Sequence, residues 1–498
     1  MADPNQQAQA QRAPEAAEVS EFESLLQKEF RPKTDRAREA VADAVRTLAQ
    51  QALVATQLVS EDAVKSIEAI VAEIDRKLSE QLNLIMHNDE FRALEGTWRG
   101  LYHLVTNTET DEHLKIRVMN ITKREAGRVL KRFKGTAWDQ SPLFKKLYED
   151  EYGTPGGEPY GCLVGDYHFN HTPPDVEILS GMGQIAAAAH CPFLSGLDPS
   201  VMGMDSWQQL GDPRDLTKIF QTAEYAPWRS LRASDDSRYV GLCMPRFLSR
   251  LPYGSKTNPV DQFAFEEDVE GADHNKYVWS NAAFAMAVNI NRAFKLYGWC
   301  ARIRGTESGG MVEGLPCHTF PTDDGGVDMK CPTEIAITDR REKELADNGF
   351  IPLSHYKNTD YAVFFGAQSL NKATEYEDAD ATANSRLSAR LPYMFAACRF
   401  AHYLKCIVRD KIGSFKERSD METWLNAWIT QYVTRDPSAG EETKARYPLA
   451  AAEVTVAEVE GDPGYYTAKF FLRPHYQLEG LTASLRLVSK LPSAKKGG

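Results

Sequence analysis

The chain has 498 residues, more than a single hydrophobic core serves, so two or three domains are expected. Lys and Arg total 58 against 70 Asp and Glu, a net charge of -12 that argues against nucleic acid as a main partner, because phosphate binding needs a basic surface. No run of about 18 apolar residues is present, which excludes membrane insertion by a helix, and residues 1–17 lack the charged and apolar blocks of a secretory signal.

The first 20 residues are polar and low in aromatics, a composition expected to be disordered. From Thr34 to about Val59 the pattern turns helical, with Val41, Val45, Leu48 and Ala52 on one stripe. A second helix is predicted from about Ser60, which suits an N-cap; Ile67, Ile70, Val71, Ile74, Leu78 and Leu82 form its apolar face. Such a stripe needs a cover, either the chain's own body or a partner helix, and Ile67, Ile70, Ile74 and Leu78 are the candidates for partner contact.

Between about 85 and 370 short apolar runs alternate with helical stretches. Strands are predicted at 161–165, 239–244, 301–304, 334–337 and 361–365, and helices at 175–190, 277–297 and 339–348. The alternation suggests an α/β domain with a mixed sheet. An acidic stretch, 375–380, marks a boundary, giving three regions: a tail and arm helix over 1–58, a central α/β domain over 59–374 and a C-terminal domain over 375–498. In the last region a helical stretch over 385–412, interrupted near Pro392, is followed by a helix at 422–433. Strands at 453–460 and 465–473 flank the turn sequence Gly461-Asp-Pro-Gly464, a hairpin signature. The fold class is therefore mixed α/β and α+β.

Catalytic signals are weak throughout. Gly181-Met-Gly183-Gln-Ile-Ala186 fits a dinucleotide fingerprint, but Val176, Leu179, Met182, Ile185 and Ala189 carry one helical stripe straight through the glycines. His168 and His171 lack further ligands for a metal, and the pairs Cys317-His318 and His190-Cys191 would need a base or acid brought from elsewhere. The run 266–270 has no calcium-loop spacing and reads as a solvated loop. Trp228-Arg229-Ser-Leu-Arg232 suits an anion or ordinary ion pairing, while Lys405, Arg409 and Lys411 read as a helix edge. Eight scattered cysteines in largely apolar company read as reduced thiols of a cytoplasmic protein. No catalytic residue, cofactor or metal site is assigned.

The sharpest feature is the last strand, 481–490. Leu481, Ala483, Leu485 and Leu487 alternate with Thr482, Ser484, Arg486 and Val488, the period of a half-buried strand, at the end of an arm over 473–480. It suits pairing with the hairpin or with another subunit's sheet. An α/β enzyme with a site built from distant residues, and an adaptor binding one client through this strand, are the competing readings.

Four long segments resolve the choice: Leu78-Ser-Glu-Gln-Leu-Asn-Leu-Ile-Met-His87, Phe91-Arg-Ala-Leu-Glu-Gly-Thr-Trp-Arg-Gly-Leu101, Glu151-Tyr-Gly-Thr-Pro-Gly-Gly-Glu-Pro-Tyr-Gly161 and Pro245-Arg-Phe-Leu-Ser-Arg-Leu-Pro-Tyr-Gly254. In these the chain closely resembles the large subunit of the type VI secretion contractile sheath, the TssC/VipB group, over nearly all of its length. The resemblance implies a structural protein that pairs with a small sheath subunit and stacks with copies of itself as six-fold rings. The tube so formed would enclose inner-tube hexamers, join a baseplate, contract to expel tube and spike, and be recycled by a AAA+ unfoldase. It also implies that Leu481, Ala483, Leu485, Leu487 and Val488 lie in a strand that completes a sheet with neighbouring subunits.

Overall fold

The computed structural model describes residues 63–475 and 477, apart from 213–214, 323, 412–417, 437 and 459–465, together with two isolated positions, 36 and 43. By compactness the chain divides into two units, residues 1–93 with 251–277 and residues 94–250 with 278–498. The predicted helix at 34–59, the turn at 461–464 and the strand at 481–490 lie outside the described residues, save for the helical positions 36 and 43.

In the first unit, α1 (Ala63–Met86) is the helix expected after Ser60. Near its end the Asn83 side chain clamps the 251–277 segment, donating to the Glu266 carbonyl at 3.2 Å and accepting from the Asp268 N–H at 2.9 Å. The acidic run there is not simply solvated, as its sequence suggested. Glu267 is buried, accepting from the Tyr253 N–H at 2.8 Å with the His87 ring 3.5 Å away. Asn88 separates α1 from α2 (Asp89–Thr106): its carboxamide oxygen accepts from the N–H groups of Glu90 and Phe91, a cap that starts the new helix.

The second unit is built on a six-stranded sheet. In chain order its elements are α3 (Lys123–Arg132), β1 (Leu163–Phe169), α4 (Pro173–Ala189), β2 (Phe193–Leu197), α5 (Ala226–Ala233), β3 (Val240–Met244), β4 (Phe247–Leu248), β5 (Trp279–Ser280), α6 (Ala282–Tyr297), β6 (Met311–Val312), β7 (Thr319–Pro321), β8 (Val327–Met329), α7 (Asp339–Asp347), β9 (Ile351–His355) and β10 (Ala362–Phe364). Sheet order is β1-β2-β3-β9-β10-β6; the first four strands run parallel and β10 is antiparallel to both neighbours. This is the mixed sheet expected. Every residue of β2 and β3 is buried, as parallel strands covered on both faces require. Phe193, Leu197, Val240 and Leu242 point to one core with Leu179 and Ile185 of α4 and Trp228 of α5. Leu194, Cys243, Ile351 and Leu353 point to the other with α6.

Two predicted strands, 301–304 and 334–337, are irregular chain instead. Ile303 and Ile337 are buried as expected of strand residues, but polar neighbours commit the segments elsewhere. Glu334 takes the Arg246 guanidinium at 2.6 and 3.0 Å and the Arg246 N–H at 2.9 Å, and Arg304 holds Gln477 at 2.9 Å. Among the described residues seven strands were not anticipated, the two- and three-residue β4 to β8 among them; of the longer two, β2 is five residues long and contains Ser-Gly, and β9 contains Pro352. The predicted helix at 277–297 begins only at Ala282, because Trp279 and Ser280 pair with Leu248 and Phe247.

The C-terminal elements are α8 (Ala379–Ser388), α9 (Leu391–Lys411), α10 (Arg418–Thr430), α11 (Glu441–Arg446), β11 (Leu449–Glu458) and β12 (Tyr466–Pro474). The break between α8 and α9 falls where Pro392 predicts it; the proline sits in the first turn of α9, where its missing N–H costs nothing. Phe400 and Leu404 of α9, Leu425 and Ile429 of α10 and Leu449, Val454 and Val456 of β11 form a separate core, with Trp299 stacked on Phe400 at 4.2 Å between ring centres.

Candidate assembly surfaces

Several of the motifs weighed as chemistry resolve into packing. α4 runs unbroken through Gly181 and Gly183, whose missing side chains admit Leu130 and the Asp236 carbonyl; a methyl there would meet them at 3.1 and 3.2 Å. Arg229 donates to the Phe220 and Thr222 carbonyls, and buried Arg232 to those of Leu370 and Asp347, so both guanidiniums are anchored on the chain's own backbone. His171 stacks on Tyr225, and among the described residues no group of three His, Cys, Asp or Glu side chains is placed to hold a metal. Lys405 lies over the Tyr152 ring at 3.8 Å and donates to the Tyr148 hydroxyl at 3.0 Å, so it belongs to the chain's own aromatic packing rather than to a solvated edge. All eight cysteines are free. Among the described residues no helix is long and apolar enough to cross a membrane.

What remains unsatisfied is apolar surface and backbone edge. From Leu94 onward, α2 has two opposed faces. Gly96, Gly100 and Leu104 are buried, and the glycines allow near contact with the body: a methyl would lie 2.4 Å from the Trp279 carbonyl oxygen at Gly96 and 2.4 Å from the Phe284 ring at Gly100. The other face carries Leu94, Trp98, Tyr102 and Val105 at steps of three and four; Trp98 is 63% exposed and Tyr102 69%. Single exposed apolar residues are ordinary, but a stripe of four on one helix face is a candidate interaction surface. The sequence reading missed it. The only available signal was the pair of glycines four apart, and without knowledge of what they pack against the stripe could not be assigned to either face.

Of the residues singled out on α1, Ile74, Leu78 and Leu82 are half-buried and Val71 is exposed; Leu84 and Ile85 further along the helix are exposed too. Ile67 and Ile70 lie in the helix, with side chains outside the described residues. The apolar face of α1 is thus incompletely covered over its described length.

The hairpin is asymmetric in a second way. β11 and β12 form a two-stranded antiparallel sheet with Val454 opposite Phe470 and Val456 opposite Ala468. The outer edge of β11 is closed by side chains of α10. The Asn426 carboxamide donates to the Val454 carbonyl at 2.8 Å and accepts from its N–H at 2.9 Å, and Glu422 accepts from the Val456 N–H at 3.0 Å. Because these N–H groups point away from β12, the Val454–Phe470 and Val456–Ala468 pairs are the non-hydrogen-bonded ones of the ladder. It follows that Ala468, Phe470 and Leu472 turn their own N–H and C=O groups to the far side of β12, where no strand pairs among the described residues. Burial follows the same gradient: Val454 and Val456 are 1% and 2% exposed, but Ala468, Phe470 and Leu472, on the same inner face, are only half-buried.

Beyond β12 the chain is pinned. The Gln477 N–H donates to the Tyr393 hydroxyl at 3.0 Å, its carboxamide donates to the Ala301 carbonyl at 2.8 Å, and Arg304 donates to it at 2.9 Å. The pin fixes the root of the segment that carries Leu481, Ala483, Leu485, Leu487 and Val488, residues that themselves lie outside the described part of the chain.

Residues 68–371 match the family described as EvpB/VC_A0108, tail sheath N-terminal domain, and residues 380–491 match the EvpB/VC_A0108 tail sheath gpW/gp25-like domain. The type VI secretion system sheath protein TssC1 of Pseudomonas aeruginosa is 71% identical over 480 residues, 96% of each chain. Among solved structures, a chain of the anti-feeding prophage baseplate covers 76% of this chain and 84% of its own at 13% identity and a TM-score of 0.35. A chain of an extracellular contractile injection system sheath in the contracted state covers 62% and 68% at 10% identity and a TM-score of 0.28. Likenesses that remote do not bear on the fold. The family matches and the close relative do bear on the role: this chain belongs to the VipB family of tail-sheath proteins, the large subunits of the type VI secretion contractile sheath, and is a structural protein rather than an enzyme.

Proposed function

We propose that copies of this chain are joined into the sheath by strand addition, the segment 481–490 of one copy lying along the open edge of β12 in another. The observation that carries this reading is the burial gradient across the hairpin. A strand whose apolar residues alternate, as Leu481, Ala483, Leu485 and Leu487 do, would pair with the outward groups of Ala468, Phe470 and Leu472 and complete the cover of that inner face. Main-chain hydrogen bonds would hold the donated strand while the arm lets the neighbouring bodies rotate, so such links would survive contraction.

The exposed stripe Leu94, Trp98, Tyr102 and Val105 is the proposed seat of the small sheath subunit, with the apolar face of α1, including Ile67, Ile70, Ile74 and Leu78, as a second contact. The heterodimers would stack as six-fold rings around inner-tube hexamers, dock on the baseplate and be recycled by the AAA+ unfoldase, in the bacterial cytoplasm. The organisation into a central domain over 59–374 and a C-terminal sheath domain over 375–498 is supported by the two adjoining family matches, 68–371 and 380–491.

The test is electron microscopy of the chain co-expressed with its small partner, with and without residues 480–498. Long hollow tubes from the intact pair and only free heterodimers after truncation are the expected result. Tubes that persist after truncation would overturn the strand link.

A further inference from the structure

The hairpin of β7 and β8 ends in two cysteines whose placement follows from the ladder. Thr319 faces Met329, Phe320 faces Asp328 and Pro321 faces Val327. One step further, the Lys330 N–H donates to the His318 carbonyl at 2.8 Å, so His318 and Lys330 are a hydrogen-bonded pair. Continued one step beyond the paired strands, the same register would set Cys317 opposite Cys331 at a non-hydrogen-bonded position. Facing Cα atoms there are about 4.5 Å apart, within the span of about 4.4–6.8 Å that a disulfide bridges.

A third group completes the cluster. His355, the last residue of β9, directs Nε2 to the Thr359 carbonyl at 2.9 Å, and the Cys317 Sγ lies 3.7 Å from that same oxygen. The Cys331 Sγ lies 3.2 Å from the Thr333 hydroxyl, and the His355 ring acts on the same thiol. Both cysteines are half-buried, which admits a small oxidant. Burial pushes the Cys331 thiol up, but the hydrogen bonds from His355 and Thr333 outweigh it and hold the thiol below its ordinary value. Burial lowers His355, and its contacts with Cys331 and the Thr359 carbonyl more than offset that, so it titrates above its ordinary value. Cys317 moves the other way, raised by burial, by Asp360 and by Cys331. The thiols of Cys162, Cys191, Cys243, Cys300 and Cys398 are all raised, with burial the leading cause.

We propose that Cys331, Cys317 and His355 form a peroxide-reactive dithiol site, in which Cys331 is the attacking thiol, His355 its base and Cys317 the resolving thiol. His355 takes the Cys331 proton, and the thiolate attacks one oxygen of a hydroperoxide. The O–O bond breaks, Cys331 becomes a sulfenic acid, and for hydrogen peroxide the departing hydroxide takes the proton from His355 and leaves as water. The Cys317 thiol then attacks the Cys331 sulfur; the S–O bond breaks, a second water leaves and the cross-strand disulfide forms. Two thiols and one hydrogen peroxide give one disulfide and two waters, and a dithiol reductant restores the pair. The site is independent of the strand link and of the α2 surface.

The full chain, co-expressed with its small partner, is treated with hydrogen peroxide, alkylated, digested with trypsin without reduction and examined by mass spectrometry. Cleavage after Arg304, Lys330 and Arg340 puts Cys317 in 305–330 and Cys331 in 331–340, so the proposed bond joins two separate peptides. The expected result is that linked species, reversed by dithiothreitol, with a dimedone adduct on Cys331 replacing it in Cys317→Ser. In the untreated wild-type pair, iodoacetamide should modify Cys331 before the other seven cysteines, and His355→Gln should slow that reaction about tenfold, the thiolate change for one pKa unit. Absence of the linked peptides, or Cys331 alkylation no faster than that of Cys317, overturns the proposal; the second readout needs no variant to fold.

Discussion

The central sheet and the C-terminal hairpin solve the same problem, covering a strand, to different degrees. β2 and β3 are buried on both faces by helices of their own chain, and the sheet continues on either side of them. The hairpin has one edge closed by Asn426 and Glu422 and one edge without a paired strand among the described residues. The first region therefore completes its core inside one chain. Among the described residues the second stops one strand short of doing so, and an open edge backed by a half-covered apolar face is a surface that a further strand can finish. The difference separates folding from assembly, so substitutions in the two regions should have separable effects.

The largest expected effect is on assembly. Ala468→Pro removes an N–H that points away from β11, a position where an edge strand accepts proline. The heterodimer should fold with a melting temperature within a few degrees of wild type yet form no tubes in the electron microscope. Normal tubes would mean that the β12 edge is not used. The matching change in the central sheet is Gly241→Val. A side chain there starts 2.7 Å from Leu194, 2.9 Å from Leu391 and 3.0 Å from Ile351, an overpacking expected to cost about 3 kcal/mol. Urea unfolding of the heterodimer checks it, and an unchanged midpoint would show that the sheet is less tightly filled than its burial indicates.

Much of this division was legible in the sequence, for identifiable reasons. The strand periods at 453–460 and 465–473 and the proline at 392 act locally, and local signals are reproduced within a few residues. The unread parts depended on partners distant in the chain. The glycines of α2 matter because of Trp279 and Phe284, and the closure of β11 depends on an Asn and a Glu one turn apart on a helix about 30 residues earlier. The expected strands at 301–304 and 334–337 failed similarly, since Gln477 and Arg246 claim their polar side chains. Nothing in a single sequence distinguishes an Asn that caps a strand edge from one that faces solvent.

The join between the two regions offers a pH-dependent probe. His402 on α9 is hydrogen-bonded to the Ala189 carbonyl at 2.8 Å, and burial pulls its pKa down to about 4, with Arg399, His190 and Lys405 acting in the same direction. The folded state therefore resists a proton that the unfolded state takes up near pH 6.5. Stability should be fully present above pH 6.5 and fall as pH drops towards 4, by about 2 kcal/mol between pH 6.5 and 5. His402→Gln keeps an amide N–H for the Ala189 carbonyl and should flatten that slope in urea titrations. An identical slope would assign the loss to other groups, His190 first.

The smallest effect belongs to the closed edge. Asn426→Ala strips Val454 of the side chain that both donates to its carbonyl and accepts from its N–H, leaving two backbone groups under a helix that still covers them. Unpaired groups cost about 1–3 kcal/mol when water cannot reach them, and here the helix restricts water without excluding it, so about 1–2 kcal/mol is expected. The loss should be local to the C-terminal core, read as faster amide exchange in β11 with no change at β2 or β3. Tube formation should persist, because the edge proposed for assembly is the opposite one. If Asn426→Ala abolished tubes while Ala468→Pro did not, the roles of the two edges would be reversed.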